Sequence, residues 1–365
     1  MELSLFSSII CIFIYSARSH SNNNKNVIIK SINHIESIVQ RDEGNRGIKD
    51  LIKNPILYDT TTILLDANIN IKSVIILTGF PCLINNPCPQ ETDGPLGCMA
   101  LARTLALLNK KVTLVTDSNC INAVRHCADG SGIFNLPSSC IKPQIECFSA
   151  VGNNDMIMTK IDQQRLQNLK SNHDCVIAIE RAGPNKDGRY LTMSKKHMNH
   201  LLAPLEKLFL NNDGNVDNSN IKRPITIGIG DGGNEVGMGS VFEEVTTSKK
   251  IPNSDSIACT TPANYLLACS VSNWGGYALA GALTLLSASI DGAIRSDEAL
   301  LAHVNRCYPS NLEETETIKA LTQQGGACDG VTGKNEMTVD GFSWDKNLEV
   351  LSEIRDVILS HSHSQ

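Results

Sequence analysis

Short apolar runs that end in glycine or in charged residues recur along this chain and alternate with segments of helical spacing. No other feature constrains its fold as much. Ser73–Gly79, Val112–Asp117, Ile145–Ala150, Cys175–Ile179 and Ile225–Ile229 each have the length and branched apolar content of a buried strand. Between and beside them, Ile29–Arg41, Gly97–Asn109, Asn122–Ala128 and Gln163–Leu169 carry helix-compatible patterns. About five strands joined by helices call for a mostly parallel sheet with helices on both faces, a Rossmann-like three-layer α/β fold. Right-handed crossovers then place the loops that follow the strands along one edge, where open α/β sheets bind ligands.

The rest of the chain adds helices beyond the sheet. Pro262–Ser287 is long, apolar and rich in Ala, Leu and Gly, and is interrupted by Ser272-Asn-Trp-Gly-Gly276. Asn264, Asn273 and the glycine pair read as packed core helices and not as a stable membrane span. Asp297–Asn305 and Leu312–Leu321 are further C-terminal helical segments, and Asn211–Lys222 is a surface loop by composition. With 365 residues, 41% of them hydrophobic, the chain can bury a substantial core. A net charge of -6 without any run of Lys or Arg lacks the footprint of a nucleic-acid binder, so the partner is expected to be a small molecule. Thirteen cysteines, odd in number and without a C-x-x-C pair, read as reduced thiols packed as small hydrophobes. His126 beside Cys127 alone does not make a zinc site.

Residues 1–28 read as a separate apolar, targeting-like segment with a polar linker, and residues 29–365 as the α/β domain. The run from Leu3 to Tyr15 has the length of a signal-peptide core. A secretory signal is favoured by that run and by Ser16 and Ala17 and opposed by Glu2 and the cysteine usage. A mitochondrial presequence is favoured by the serines and opposed by the lack of early arginines.

The polar residues past each strand converge on one edge. They are Glu91, Thr92 and Asp93 after the first, Asp117 after the second, Glu180 and Arg181 after the fourth, and Asp231, Asn234 and Glu235 after the fifth. The loop Gly228-Ile-Gly-Asp-Gly-Gly-Asn-Glu-Val-Gly-Met-Gly239 formally contains G-x-G-x-x-G at Gly228, Gly230 and Gly233. That motif belongs at the first strand of a βαβ unit and here follows the last, while Asp231 and Glu235 repel phosphate and no lysine is present. A nicotinamide or flavin is therefore not expected. The glycines let backbone N–H groups approach a ligand, and the acids offer a base or a metal ligand; the plain alternative is a glycine turn.

Each neighbouring motif carries two readings. Thr92 or Asp93 caps the following helix, or the helix N-terminus there holds a substrate carboxylate. Glu180 and Arg181 form a structural ion pair, or Arg181 binds a carboxylate through its fork of donors. Trp274 is core or platform, and Asn273 in the helix interruption invites a ligand. Asp329, in the glycine-rich stretch Gly325–Gly333, is a further candidate, whereas His197 and His200 read as surface residues of a helix.

Together, Thr78-Gly-Phe-Pro81, Glu91-Thr-Asp-Gly-Pro95, Glu180-Arg-Ala-Gly183, Gly228–Gly239 and Ser272-Asn-Trp-Gly275 resemble the C-terminal domain of D-glutamate cyclases. The similarity runs from about Ile29 to the end. It implies a hydro-lyase, mitochondrial (matrix) in animals, that converts D-glutamate or a similar amino acid to 5-oxo-D-proline and water. Members with the assigned activity commonly carry an additional N-terminal domain resembling bacterial hydro-lyase-like proteins. The chain is expected to lack it, which leaves open a non-catalytic ligand-binding domain; a nucleotide- or phosphate-binding α/β protein is the other alternative. Under the cyclase reading the catalytic candidates are Asp231, Asn234 and Glu235. Arg181, Glu180, Gly232, Gly233, Asn273 and Thr92 are the substrate-binding candidates, with Arg181 and the loop N–H groups on carboxylates and Asn273 orienting the substrate. In a second arrangement Glu91 and Asp93 join Asp231 around a divalent cation.

Overall fold

A computed structural model describes residues 25–151, 158–210, 223–292 and 295–361. The apolar run Leu3–Tyr15 and the segment 211–222 lie outside these residues. Six strands form one parallel sheet: β1 Ser73–Gly79, β2 Lys111–Asp117, β3 Gln144–Phe148, β4 Cys175–Arg181, β5 Ile225–Gly230 and β6 Tyr265–Ala268. Their order is β3-β2-β1-β4-β5-β6. Succession reverses between β1 and β4, which makes the carboxyl ends of these two strands the topological switch point of the sheet.

Alternation along the strands explains why both faces are covered. Val74 and Ile76 of β1 and Ile177 of β4 enter one core with α3 (Pro95–Leu107), α8 (Ser272–Ile290) and α11 (Trp344–Leu359). Ile75, Leu77, Val176 and Ala178 face the other way, onto Leu166 of α5 (Lys160–Asn172) and the short turn Leu205–Leu208. The first helix, α1 over 25–39, adds Ile28, Ile32, Ile35 and Ile38 to the larger core. Helices α3 and α8 touch backbone to backbone. A Cβ on Gly276 would stand 2.6 Å from the Cα of Gly97, so neither position has room for a side chain.

Three expectations are corrected. The strand β6 lies within the stretch read as helical, because four residues of Tyr, Leu and Ala carry no period that separates strand from helix. The glycine loop thus follows the fifth of six strands. Ser272–Gly276 opens α8 and does not interrupt a helix. His197 sits on a hairpin, paired with Leu191, and His200 in a single 3-10 turn. A second, two-stranded sheet of β7 (Thr338–Val339) and β8 (Phe342–Ser343) turns through Asp340 and Gly341, both left-handed at φ 55° and 80°. That backbone fits a two-residue hairpin turn, for which Asp-Gly is a favoured pair.

A candidate acidic active site at the sheet switch point

The loop after β5 folds back on its own strand. Gly237, at φ 107°, lies so close to Gly228 that a Cβ on either would be 2.7 Å from the other's Cα. The return brings Glu235 beneath the turn, where its carboxylate accepts hydrogen bonds from the N–H groups of Gly232 at 2.6 Å and Gly233 at 2.7 Å. Those donors, expected for a substrate carboxylate, are therefore engaged by Glu235. Asn234 donates to the carbonyl of Leu191 at 2.8 Å, tying the loop to the neighbouring hairpin. Asp231 is left facing the cleft.

The loop after β1 reaches the same point by a different device. Asp93 accepts from the backbone N–H groups of Gly94, Ser272 and Asn273 at 2.9, 3.0 and 2.7 Å. Asn273, fully buried, returns its side-chain oxygen to the N–H groups of Gly94 and Gly97, both at 2.9 Å, and its amide donates to Thr92. Asn273 is thus a staple between two helix starts and not a substrate contact, which corrects the expectation. Thr92 is likewise buried and donates to the carbonyl of Thr338 at 2.8 Å, away from the cleft.

At the end of β4, Glu180 adopts φ 45°, a left-handed conformation that a non-glycine residue holds only where its surroundings enforce it. Its carboxylate accepts from the Ser272 hydroxyl at 2.6 Å. Arg181 points elsewhere. It is completely buried in an ion pair with Asp117 and donates to the Ala203 carbonyl at 2.7 Å. Gly79 of the intervening strand leaves the room: a Cβ there would lie 3.1 Å from the guanidinium and 3.3 Å from the carboxylate. Arg181 does not line the cleft, so its expected role as a carboxylate fork is corrected to a strut between β2 and β4. Asp329 is also structural, accepting from the N–H groups of Val331, Thr332 and Gly341.

The cleft that results has a volume of about 450 Å³. Its walls carry Glu91, Asp93, Glu180, Asp231, Glu235 and Asp340, against the cations Arg46 and Lys196. Arg46 was not foreseen, and neither was Asp340. Arg46 follows α1 in a turn fixed by Asp42, whose carboxylate accepts the N–H groups of Arg46 and Gly47. Its Nη2 stands 2.7 Å from a carboxylate oxygen of Asp231 and of Asp340. Both of those oxygens are buried and have no hydrogen-bond partner among the described residues, so the contact is one of charge.

Burial chiefly, and then mutual repulsion, pushes the carboxyl groups of Glu91, Asp93 and Glu180 well above the usual carboxylate range. Asp231 is raised by burial to about 6, with Arg46 opposing the rise, and Asp340 by burial and Asp231 to about 7. So much buried acid calls for positive charge, supplied by protons, by a cation or by an ammonium group. Asp93, Glu180 and Asp231 offer one oxygen each within 4.8 Å of one another and could hold a metal ion. Glu180 takes the place in this trio that was expected for Glu91. An all-oxygen donor set suits a hard divalent cation. The cysteines among the described residues are free, and burial raises the Cys82 thiol in the cleft wall, which disfavours a thiolate nucleophile.

Fold and site together define an α/β protein with an acidic cleft at the switch point of a Rossmann-like sheet. Its sequence matches the family described as D-glutamate cyclase-like, C-terminal, over residues 35–355, and the chain belongs to that family. It is 32% identical over 336 residues to the human protein named D-glutamate cyclase, mitochondrial. The match covers 90% of this chain and 52% of the human protein, so the chain spans about half the length of that relative. No helix among the described residues is long and apolar enough to cross a membrane.

Proposed function

We propose that the cleft is the active site of a D-glutamate cyclase-like hydro-lyase that converts D-glutamate to 5-oxo-D-proline and water. The observation that carries this reading is the position of Asp231, a carboxyl raised to about 6, unbonded at one oxygen and surrounded by further acids. An acidic floor attracts the α-ammonium group of an amino acid. A base near pH 6 is suited to take a proton from it at neutral pH.

The reaction needs two proton transfers and one bond exchange. The α-ammonium loses one proton to Asp231, and the freed amine attacks the γ-carboxyl carbon. The nitrogen then gives up a second proton, the C–O bond breaks, and the departing oxygen leaves as water with both protons, retaining one N–H in the lactam. Glu91 and Asp340, raised above the normal range beside Asp231, are suited to hand a proton to that oxygen. Arg46 holds Asp231 in place and limits the rise of its carboxyl. Glu235 fixes the backbone of the loop, and Asn234 anchors it. When a hard divalent cation is bound by Asp93, Glu180 and Asp231, it supplies positive charge that offsets the charge developing on the γ-carboxyl oxygens.

The name of the human relative supports a mitochondrial address on the same footing. The test of function is direct. The full chain is incubated with D-glutamate, with and without Mn²⁺ or Mg²⁺, and 5-oxoproline is followed by chiral chromatography. Product from the wild type and its loss in Asp231→Asn are expected. No product under any of these conditions overturns the reading and leaves a ligand-binding domain.

A further inference from the structure

Lys196 is a cleft residue that the chemistry above does not use. It rides on a hairpin whose arms are joined by pairing of Leu191 with His197 and by a hydrogen bond from Met198 to the Tyr190 carbonyl at 2.9 Å. Its backbone is held twice more, since the N–H of Thr192 donates to the Lys196 carbonyl and the N–H of Lys196 to the Thr192 hydroxyl, both at 3.0 Å. Asn234 of the acidic loop and Asn253 fix the same hairpin through the carbonyls of Leu191 and Met193, both at 2.8 Å. This scaffold sets Lys196, exposed to solvent, on the wall of the cleft. Arg46, the other cation there, is engaged by Asp231 and Asp340, whereas Lys196 makes no ion pair among the described residues.

We infer that Lys196 receives the α-carboxylate of the amino-acid substrate. The inference rests on the cyclase reading of the cleft and adds to it the residue that selects an α-amino acid. Closing a five-membered lactam brings the amine and the γ-carboxyl together over the acidic floor, so both groups are turned toward Asp231. The α-carboxylate hangs on the carbon that bears the amine, stays outside the new ring, and is repelled by the acids below it. Lys196, without an ion pair among the described residues, is the cation that meets it. Cyclisation removes the ammonium and the γ-carboxylate and leaves the α-carboxylate intact, so this contact is made by substrate and product alike.

The test measures binding by calorimetry at low salt with three probes: D-glutamate, 5-oxo-D-proline, and the α-amide of D-glutamate, which lacks the proposed partner. Lys196→Met weakens the first two by about tenfold each, the size of one charge-assisted contact, and leaves the amide unchanged. Lys196→Arg retains binding within about threefold of the wild type, because a second cation reaches the same carboxylate. Turnover assays then show the loss in KM more than in kcat. Equal weakening of all three probes means a structural role and overturns the inference, as does unchanged binding of D-glutamate and 5-oxo-D-proline. If D-glutamate binds in a Lys196-dependent way but no 5-oxoproline forms, the carboxylate contact stands and the cyclase reading falls. Failure of the wild type to bind either D-glutamate or 5-oxo-D-proline overturns both.

Discussion

Arg46 and Asp231 meet at 2.7 Å across the cleft, the first from the turn after α1 and the second from the loop after β5. The same guanidinium nitrogen is equally close to Asp340. Replacing Arg46 by Met leaves two buried carboxyl groups without their counter-charge, and breaking such a pair costs about 3–5 kcal/mol. The loss is expected to be larger at pH 8 than at pH 5, because protonation relieves the acids that Arg46 neutralised. Urea unfolding at both pH values checks the size and the sign, and an equal loss at both removes the electrostatic explanation.

The rate should follow the ionisation of Asp231. Its carboxyl is raised to about 6, and the base is active only when ionised, so kcat/KM falls as pH drops through about 6. In Asp231→Asn that acid limb disappears along with most of the activity, by about 10²-fold or more. A pH profile recorded in the presence of a chelator, so that no cation perturbs the group, gives the comparison. An unchanged limb in the variant assigns the ionisation to another residue.

Cation binding should register as stability even without turnover. Asp93, Glu180 and Asp231 repel one another when ionised, and a divalent ion relieves that repulsion. At about one hundred times its dissociation constant, the ion adds about 2.7 kcal/mol. The rise in melting temperature with Mn²⁺ or Mg²⁺ is expected to be greater at pH 8 than at pH 5, since protons compete for the same oxygens. Glu180→Gln should abolish most of the shift, and a shift that survives in this variant places the ion elsewhere.

Another buried acid, away from the cleft, also titrates. Glu314 of α10 (Asn311–Lys319) accepts a hydrogen bond from the Tyr277 hydroxyl at 2.8 Å, and burial raises its carboxyl to about 8. The folded form holds this proton more tightly than the unfolded chain. Its contribution to stability is fully present below about pH 4.5 and is lost as pH rises toward 8. Glu314→Gln keeps an acceptor for Tyr277 and removes the titration. Its stability should therefore vary less with pH over that window and exceed that of the wild type above pH 8, as read by denaturant unfolding.

What the sequence made legible follows from where each signal lies. Strands of five to seven residues with branched apolar content, such as β1 and β4, announce themselves, and their trailing acids mark the edge correctly. Asp93, Glu180 and Asp231 were all visible in this way. Arg181 was visible too but misassigned, because its pairing with Asp117 depends on a glycine in the strand between them. Asn273 carried the right residue type for a ligand, yet its hydrogen bonds go to backbone groups that only the contact of α3 with α8 brings near. Arg46 and Lys196 belong to no motif, and tertiary folding alone delivers them. Asp340 had a local signal in its Asp-Gly turn, which marks a hairpin but not a cleft.

The cleft takes Arg46 from the beginning of the described chain and Asp340 from near its end, with every other acid between them. During synthesis this has an order. The strands β1 to β6 and their acids leave the ribosome before the hairpin that bears Asp340, so a nascent chain can form its sheet while the cleft still lacks one wall. A chain not yet synthesised as far as Asp340 therefore lacks the carboxylate that shares the Arg46 guanidinium with Asp231.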